Sequence, residues 1–510
     1  MKNILSKRIF SLVLCALLCI TVLVGIVPTS KVSADEAVKE ITVFSWEDYI
    51  DLGYGYEEGD FPSDYLQEEY SEEELQQSVL DIFEAQTGIK VNYYSFATNE
   101  EMYNELIKNP QACDIICPSE YMILKMREEG LIKPYSFPEK YQEYGSPYIK
   151  QVFEELGLNT EDGKTYAIGY MWGTMGLIYN MDKYSDQDFS HWSNLFDEKF
   201  SGRTTIKDSL RDSYIMAVAI VYEQELLALK SDFEAGRVTQ AEYESKLFEI
   251  FNRTDKATVK KVGDVLIDLK NNLYGFEVDA GKSDLLSGKI DVNFAWSGDA
   301  VYSMWEADEM GIELGYAVPE EGSNVWFDGW VMTKNANEEL SMEFLNFVSD
   351  PRIAVRNMDY IGYTSCIGGD EVFDYVLGNF SDDEGELEQV DLKYFFDPTD
   401  TAGNYVVEVL PENRRYLFAQ YADEQTILRC AVMDNFSNED LILVNEMWNK
   451  VKLITLPDYV LIVSAILIVL IIGLVVVLKF KDRIFVKAIS SQQTKPRRKG
   501  CKVIKIEDLK

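Results

Sequence analysis

The sequence predicts an α/β fold with largely parallel strand pairing, followed by one C-terminal transmembrane helix. Three observations point there. Strand-like and helix-like segments alternate through the body of the chain, as they do in β-α-β units. The 510 residues, 47% of them hydrophobic, are ample for a core and for two or three domains. A run of twenty residues without charge, 459–478, is long enough to cross a hydrocarbon layer about 30 Å thick.

Taken in order, residues 1–34 have the form of a secretory leader. Lys2, Lys7 and Arg8 make a basic start, residues 9–27 are apolar, and Val32-Ser33-Ala34 offers a small-x-small cleavage site. The apolar run is long enough to leave an uncleaved anchor open, whereas Leu17-Leu18-Cys19 is a poor acylation site. A β-branched and aromatic run from Ile41 predicts a strand that ends in Trp46, Glu47, Asp48 and Tyr49. Flat aromatics beside carboxylates at a strand's carboxyl end suit the rim of a cation-binding cleft. Core packing of the rings and a solvated turn for the acids suit the same residues. Residues 51–74, acidic and rich in Gly and Tyr, have the character of an inserted surface loop. Residues 75–86 predict an amphipathic helix ended by Thr87-Gly88, and 89–93 the next strand. Residues 99–107 predict a helix with Asn99 as its cap and Glu100 and Glu101 in its first turn. A strand over 114–118 stops at Pro118, and Ser119 precedes a helix beginning near Glu120. Residues 233–269 predict a charged helical stretch. Beyond the uncharged run come Lys479, Lys481, Arg483 and Lys487, then Lys495-Pro-Arg-Arg-Lys499. Basic flanks stay inside, so the body faces outward and 479–510 forms a basic cytoplasmic tail able to touch anionic lipid.

The net charge is −39, unevenly spread. Residues 1–34 carry +4 and residues 479–510 carry +8, so residues 35–478 hold −51. Such a body repels nucleic acid, whose phosphates need Lys and Arg, and attracts cations at long range; it also serves solubility. Cys113, Cys117, Cys366 and Cys430 are the only cysteines of the body and form no disulfide framework. Four strand steps would hold Cys113 and Cys117 about 13 Å apart, beyond bridging distance. A Cys366–Cys430 bridge stays open, with buried thiols the plainer reading.

Enzyme chemistry finds little support. The single histidine, His191, lies in a polar loop before Trp192 and reads as a surface residue, so no Ser-His-acid or Cys-His arrangement can be built. Neither Cys/His metal spacing nor a glycine-rich phosphate loop is present, and the sequence implies no cofactor and no metal. Carboxylates abound, and Trp walls also serve carbohydrate sites. A surface sugar-binding protein or glycosidase therefore remains the rival class.

Several segments together resemble a known family, the polyamine (spermidine/putrescine) substrate-binding proteins of ABC importers. They are Phe44-Ser-Trp-Glu-Asp-Tyr49, Thr87-Gly-Ile-Lys-Val91, Thr98-Asn-Glu-Glu-Met-Tyr103, Asp114-Ile-Ile-Cys-Pro-Ser-Glu-Tyr121 and Lys125-Met-Arg-Glu-Glu-Gly130. Further along come Tyr170-Met-Trp-Gly-Thr174, Trp296-Ser-Gly-Asp299, Val318-Pro-Glu-Glu-Gly322 before Trp326-Phe-Asp328, and Ile361-Gly-Tyr363. Each motif is weak by itself; their order and spacing from about 41 to 450 are specific. The resemblance implies a two-lobe periplasmic-binding-protein-like fold of type II that closes about a hinge. Lobe 1 would comprise 41–145 and 326–370, and lobe 2 would comprise 146–325 and 371–451. It also implies an extracytoplasmic receptor, not an enzyme, that binds polyamines for an ABC permease. A sensor or adhesion module keeping the same fold is a further reading, prompted by the membrane tether.

A polyamine is a chain of methylenes carrying ammonium groups. Its receptor needs carboxylates at matching intervals and flat rings to sandwich the methylenes and face the cations. By resemblance, Trp46, Tyr49, Tyr121, Trp296, Trp326 and Tyr363 take the aromatic wall positions. Asp48, Asp212 and Asp328 take the acidic ones. Asp328, two residues from Trp326 on a strand, points to the same face as that ring. Ser119 either caps its helix or offers a hydroxyl to an amine. Ser209 stands where the spermidine type has an acid. Asp299, fourth in Trp296-Ser-Gly-Asp299, matches the putrescine type, which leans the expected ligand towards a short diamine without deciding it.

Overall fold

The computed structural model describes residues 39–55, 62–453, 463–476 and 478–479. The leader expected at 1–34, part of the span expected at 459–478 and almost all of the tail lie outside them. The described residues up to Val451 form one compact unit and those from Lys452 a second. In the second, residues 463–476 are helical with exposed apolar side chains. Among the described residues no helix is long and apolar enough to cross a membrane.

The strands that position the site are β1 (Lys39–Trp46), β2 (Ile89–Phe96), β3 (Ile115–Ile116), β4 (Ile168–Asn180) and β5 (Thr204–Lys207). After them come β6 (Gly275–Glu277), β7 (Val292–Trp296), β8 (Leu314–Ala317), β9 (Val325–Thr333) and β10 (Thr364–Ser365). They join in the order β2-β1-β3-β9-β4-β7-β5-β6, with β8 and β10 also paired to β4. The expected parallel pairing holds in two outer groups, β2-β1-β3 and β7-β5-β6. Between them the pairing is antiparallel: β9 to β3, β9 to β4, and β4 to β7. Twelve of the thirteen residues of β4 and all nine of β9 are buried. Strands covered on both faces read as unbroken apolar runs whichever way they point, so their direction is invisible in the hydrophobic pattern.

Six helices frame the site or brace the strands around it: α1 (Val79–Thr87), α2 (Asn99–Lys108), α3 (Glu120–Glu128), α4 (Leu210–Val221), α5 (Ser297–Glu309) and α6 (Pro351–Ile361). α1 is closed by Gly88 at a φ of 69°, the left-handed cap that glycine adopts without strain. α2 is capped by Thr98, whose side chain accepts from the Glu101 amide, and not by Asn99 as expected. The 233–269 stretch is broken by turns and falls within three helices, Glu223–Glu234, Gln240–Phe251 and Lys256–Lys270. Cys113, Cys117, Cys366 and Cys430 are free and buried.

The described part of segment 51–74 is more than a surface loop. Asp51 is fully buried and pairs with buried Arg356 of α6 at 2.6 Å. The same guanidinium donates to the carbonyl oxygens of Glu74 and Gln77, and Asp51 accepts from the Gly53 amide. Asp359, also on α6, accepts from the Tyr54 and Tyr375 hydroxyls and the Ser63 amide. Two short helices, Asp64–Glu69 and Glu72–Leu75, are pinned between these anchors, with Leu66 and Leu75 facing the core. Acidic composition concealed this, because a buried carboxylate and a solvated one look alike in sequence. Arg356→Met strands the Asp51 carboxylate in the core, with a loss of about 3 kcal/mol expected in urea denaturation; an unchanged midpoint rules out an anchoring role for this pair.

Candidate ligand-binding site

Three strands end beside three helix starts. β3 leads through Pro118 to α3, β5 leads through Asp208 to α4, and β7 runs directly into α5. Each helix carries an acid in its first turn: Glu120, Asp212 and Asp299. The positive end of a helix favours a carboxylate there, so these acids tolerate burial. In an α/β sheet such strand ends form the ligand crevice.

Asp328 lies at the centre, on β9, where the pairing with β4 shifts register between Asp328 and Gly329. The residue skipped by the pairing is Tyr170 of β4, whose hydroxyl donates to the Tyr49 carbonyl oxygen at 2.8 Å. The carboxylate accepts 2.7 Å hydrogen bonds from the Tyr49 and Ser119 hydroxyls. Among the described residues it forms no ion pair. Burial pushes its carboxyl up to about 6, against the opposing pull of the two hydroxyls. Ser119 makes no side-chain cap for α3, so its hydroxyl serves the Asp328 carboxylate instead. Asn99 supports it: its amide nitrogen donates to the Ser119 hydroxyl at 3.1 Å and the Tyr121 hydroxyl at 2.9 Å. This is why Asn99 is buried and does not cap α2.

Aromatic rings close around the acid. Tyr49 meets Tyr363 edge-on at 5.8 Å between centroids, and Tyr363 meets Trp326 at 5.4 Å. Two glycines permit this approach. A Cβ on Gly298 would lie 1.6 Å from the Tyr363 ring, and one on Gly173 would lie 2.8 Å from the Trp326 ring. The Tyr363 hydroxyl then reaches Asp299 at 3.1 Å.

Two internal cations lie on the other expected rings. The Lys207 ammonium sits 4.2 Å from the centre of the Trp296 ring and pairs with Asp299 at 3.2 Å and Glu277 at 3.1 Å. Burial works against its charge, yet Asp299 and Glu277 hold it above the usual lysine range. The Arg211 guanidinium stacks on Tyr121 and on Phe436, each at 4.0 Å, and donates to the Asp434 carbonyl oxygen. Asp212 is buried, its carboxyl pushed up to about 6 by burial against the pull of Lys207 and Arg211. Behind Asp328, Glu120 accepts from the Phe327 amide at 3.1 Å, and burial lifts its carboxyl to about 8.

The structure therefore gathers Tyr49, Ser119, Tyr121, Trp326, Asp328 and Tyr363 into one continuous cluster. Asp299 joins it through Tyr363 and Trp296 through Lys207, and Asp212 follows Arg211 in the chain. Trp46 packs on Phe96, its register partner, with centroids 4.8 Å apart. Asp48 is exposed, at a left-handed φ of 50°. Lys207, Glu277, Arg211 and Asn99 were missed by motif reasoning. Lys207 and Arg211 stand inside Lys207-Asp-Ser-Leu-Arg-Asp212, where only the acid draws attention. His191 is half-buried and bonded to buried Glu321 at 2.7 Å, instead of facing solvent freely. With Glu223 the pair places three potential metal-ligand atoms within 4.8 Å of one another.

Residues 78–368 match the family described as bacterial extracellular solute-binding protein, over more than half of the chain. The chain belongs to that family. Its members are receptors that bind a solute and carry out no reaction on it. Among relatives of the chain, the spermidine/putrescine-binding periplasmic protein of Escherichia coli is 25% identical over 287 residues, 56% of this chain and 72% of the relative. The putrescine-binding periplasmic protein of the same organism is 26% identical over 292 residues, 56% of this chain and 73% of the relative. A solved spermidine/putrescine ABC transporter substrate-binding protein from Streptococcus pneumoniae shares the fold. It has a TM-score of 0.53 and 22% identity, over 81% of this chain and 98% of that one. The α/β periplasmic-binding-protein fold of the family is thus the fold of this chain.

The raised carboxyl of Asp328 has a consequence for stability. Its folded-state value lies above the ordinary carboxylate value near 4. The ligand-free protein therefore holds the resulting stabilisation below about pH 4 and loses it as pH rises through 6. Asp328→Asn removes the ionisation, and at pH 8 the ligand-free variant should be more stable than the parent by about 2 kcal/mol in urea denaturation. A less stable variant at pH 8 means that the carboxylate is better compensated than its partners suggest.

Proposed function

We propose that the protein is an extracytoplasmic receptor that captures polyamines and delivers them to an ABC permease. The observation that carries this reading is the buried Asp328 carboxylate, satisfied by two hydroxyls and, among the described residues, by no cation of its own chain. A ligand ammonium supplies the charge that is missing and donates to the carboxylate's remaining lone pairs. Tyr49, Trp326 and Tyr363 offer faces and edges that suit a thin methylene chain, each cation–π contact being worth roughly 0.5–2 kcal/mol. The relatives that bind spermidine or putrescine support the same ligand class. A body carrying −51 draws multiply charged cations towards it.

The reading extends to the whole chain. Two lobes, 41–145 with 326–370 and 146–325 with 371–451, close on the ligand about the crossing strands β4 and β9. The permease recognises the closed form. The uncharged run 459–478, followed by Lys479, Lys481, Arg483 and Lys487, tethers the receptor with its body outside the cell. Trp46, Asp48 and Asp212 belong to the binding set in this reading, as rim and end groups.

Calorimetry with putrescine, spermidine and neutral sugars tests it. Heat with an amine and none with sugars is expected; turnover of a glycoside, or binding of sugars alone, rejects it. Asp328→Asn should weaken amine binding at least tenfold, since the ligand's ammonium loses its buried partner. Affinity should also fall about tenfold between pH 7.5 and pH 5, because Asp328 titrates near 6 and only its ionised form pairs with an amine. A flat pH profile removes Asp328 from the ligand's first contacts.

A further inference from the structure

Lys207 closes β5, and its register partner on β6 is Glu277. The strand pairing fixes its backbone, and the Ser213 hydroxyl donates to its carbonyl oxygen at 2.6 Å. The side chain is 1% exposed. Its ammonium has three donors and three oxygen partners: the Val278 carbonyl at 3.0 Å, Glu277 at 3.1 Å and Asp299 at 3.2 Å. The Trp296 ring covers it at 4.2 Å. A carboxylate pair, a carbonyl oxygen and an indole face are what a desolvated ligand ammonium requires. Here the chain's own lysine has them.

Resting on the polyamine reading, we propose that Lys207 is a built-in ammonium that occupies the Trp296–Asp299 end of the site and makes it select diamines over triamines. Asp212, Glu277, Asp299 and Asp328, all at least nine-tenths buried, are opposed by buried Lys207 and Arg211 and by the partly exposed Lys282, 3.6 Å from Asp299. Glu120, lifted to about 8 by burial, is largely neutral at pH 7 and adds no charge. With Lys282 counted, one carboxylate is left in excess, too few to match three ligand ammoniums. A third ligand ammonium would have to expel Lys207 from all its partners. Neutralising Lys207 frees the indole and the Asp299 Oδ2 and raises the excess by one carboxylate, which favours the more highly charged ligand.

The test is competitive binding of putrescine and spermidine to the purified protein and two variants, with circular dichroism to establish folding. Wild type should bind putrescine more tightly than spermidine. Lys207→Met should shift the ratio of the two dissociation constants at least tenfold towards spermidine. Lys207→Met with Glu277→Gln keeps the buried charge balance of the wild type and guards against misfolding of the single variant; it should shift the ratio in the same direction. A wild type that prefers spermidine overturns the proposal, as does an unchanged ratio in either folded variant, which would make Lys207 a purely structural partner of Glu277. Failure of wild type and variants to bind any amine instead rejects the polyamine reading and the proposal with it.

Discussion

A carboxylate withdrawn from water must find donors or a cation, and the arrangement around Asp328 follows from that need. Tyr49 arrives from the end of β1, Ser119 from the turn between β3 and α3, and both donate to the same group. For their hydroxyls to meet on it, β9 must lie between β3 and β4, and its pairing with β4 shifts register beside Asp328. Asn99 then has to leave the cap of α2 to hold Ser119 and Tyr121. Gly173 and Gly298 have to lack side chains so that Trp326 and Tyr363 can lie close. Local rules of capping and packing are set aside at these positions in favour of one buried charge.

Charge management differs between the two ends of the site. At Asp328 the carboxylate is left with neutral donors, and burial raises its proton affinity. At Asp299 and Glu277 the compensation is internal, through Lys207 and, at Asp299, Lys282. A group held by hydroxyls alone is strained in the free protein and gains most from an incoming cation, the usual exchange of stability for binding. A group already paired gains little, and displacing its partner is costly.

Away from the site the same physics builds structure instead of function. Arg356 and Asp51 form a buried pair whose remaining hydrogen-bonding capacity is met by backbone groups, and it ties the acidic segment to α6. The chain's large negative charge therefore divides into three populations: solvated acids that shape the long-range field, anchors such as Asp51 and Asp359, and the acids of the cluster.

Much of this could be read from the sequence because it rests on local rules. Alternating apolar periods placed the strands from Ile41, Ile89 and Asp114 and the helices among them within a few residues, and the Trp326-Phe-Asp328 spacing put ring and acid on one face because side chains alternate along a strand. The order of motifs brought Tyr49, Tyr121, Trp296 and Tyr363 into the candidate set. Tertiary structure alone decided strand direction in β4 and β9, since both orientations bury the same side chains. It also decided which acids have partners. Asp48 and Asp328 have identical chemistry, yet one faces solvent and the other is enclosed by residues more than 200 positions away in the chain. Lys207 and Arg211 were unremarkable beside Asp212 until β6, α3 and α5 supplied the carboxylates and rings against which they rest. Contacts between distant segments are set by packing of the whole chain, and short-range pattern carries no record of them.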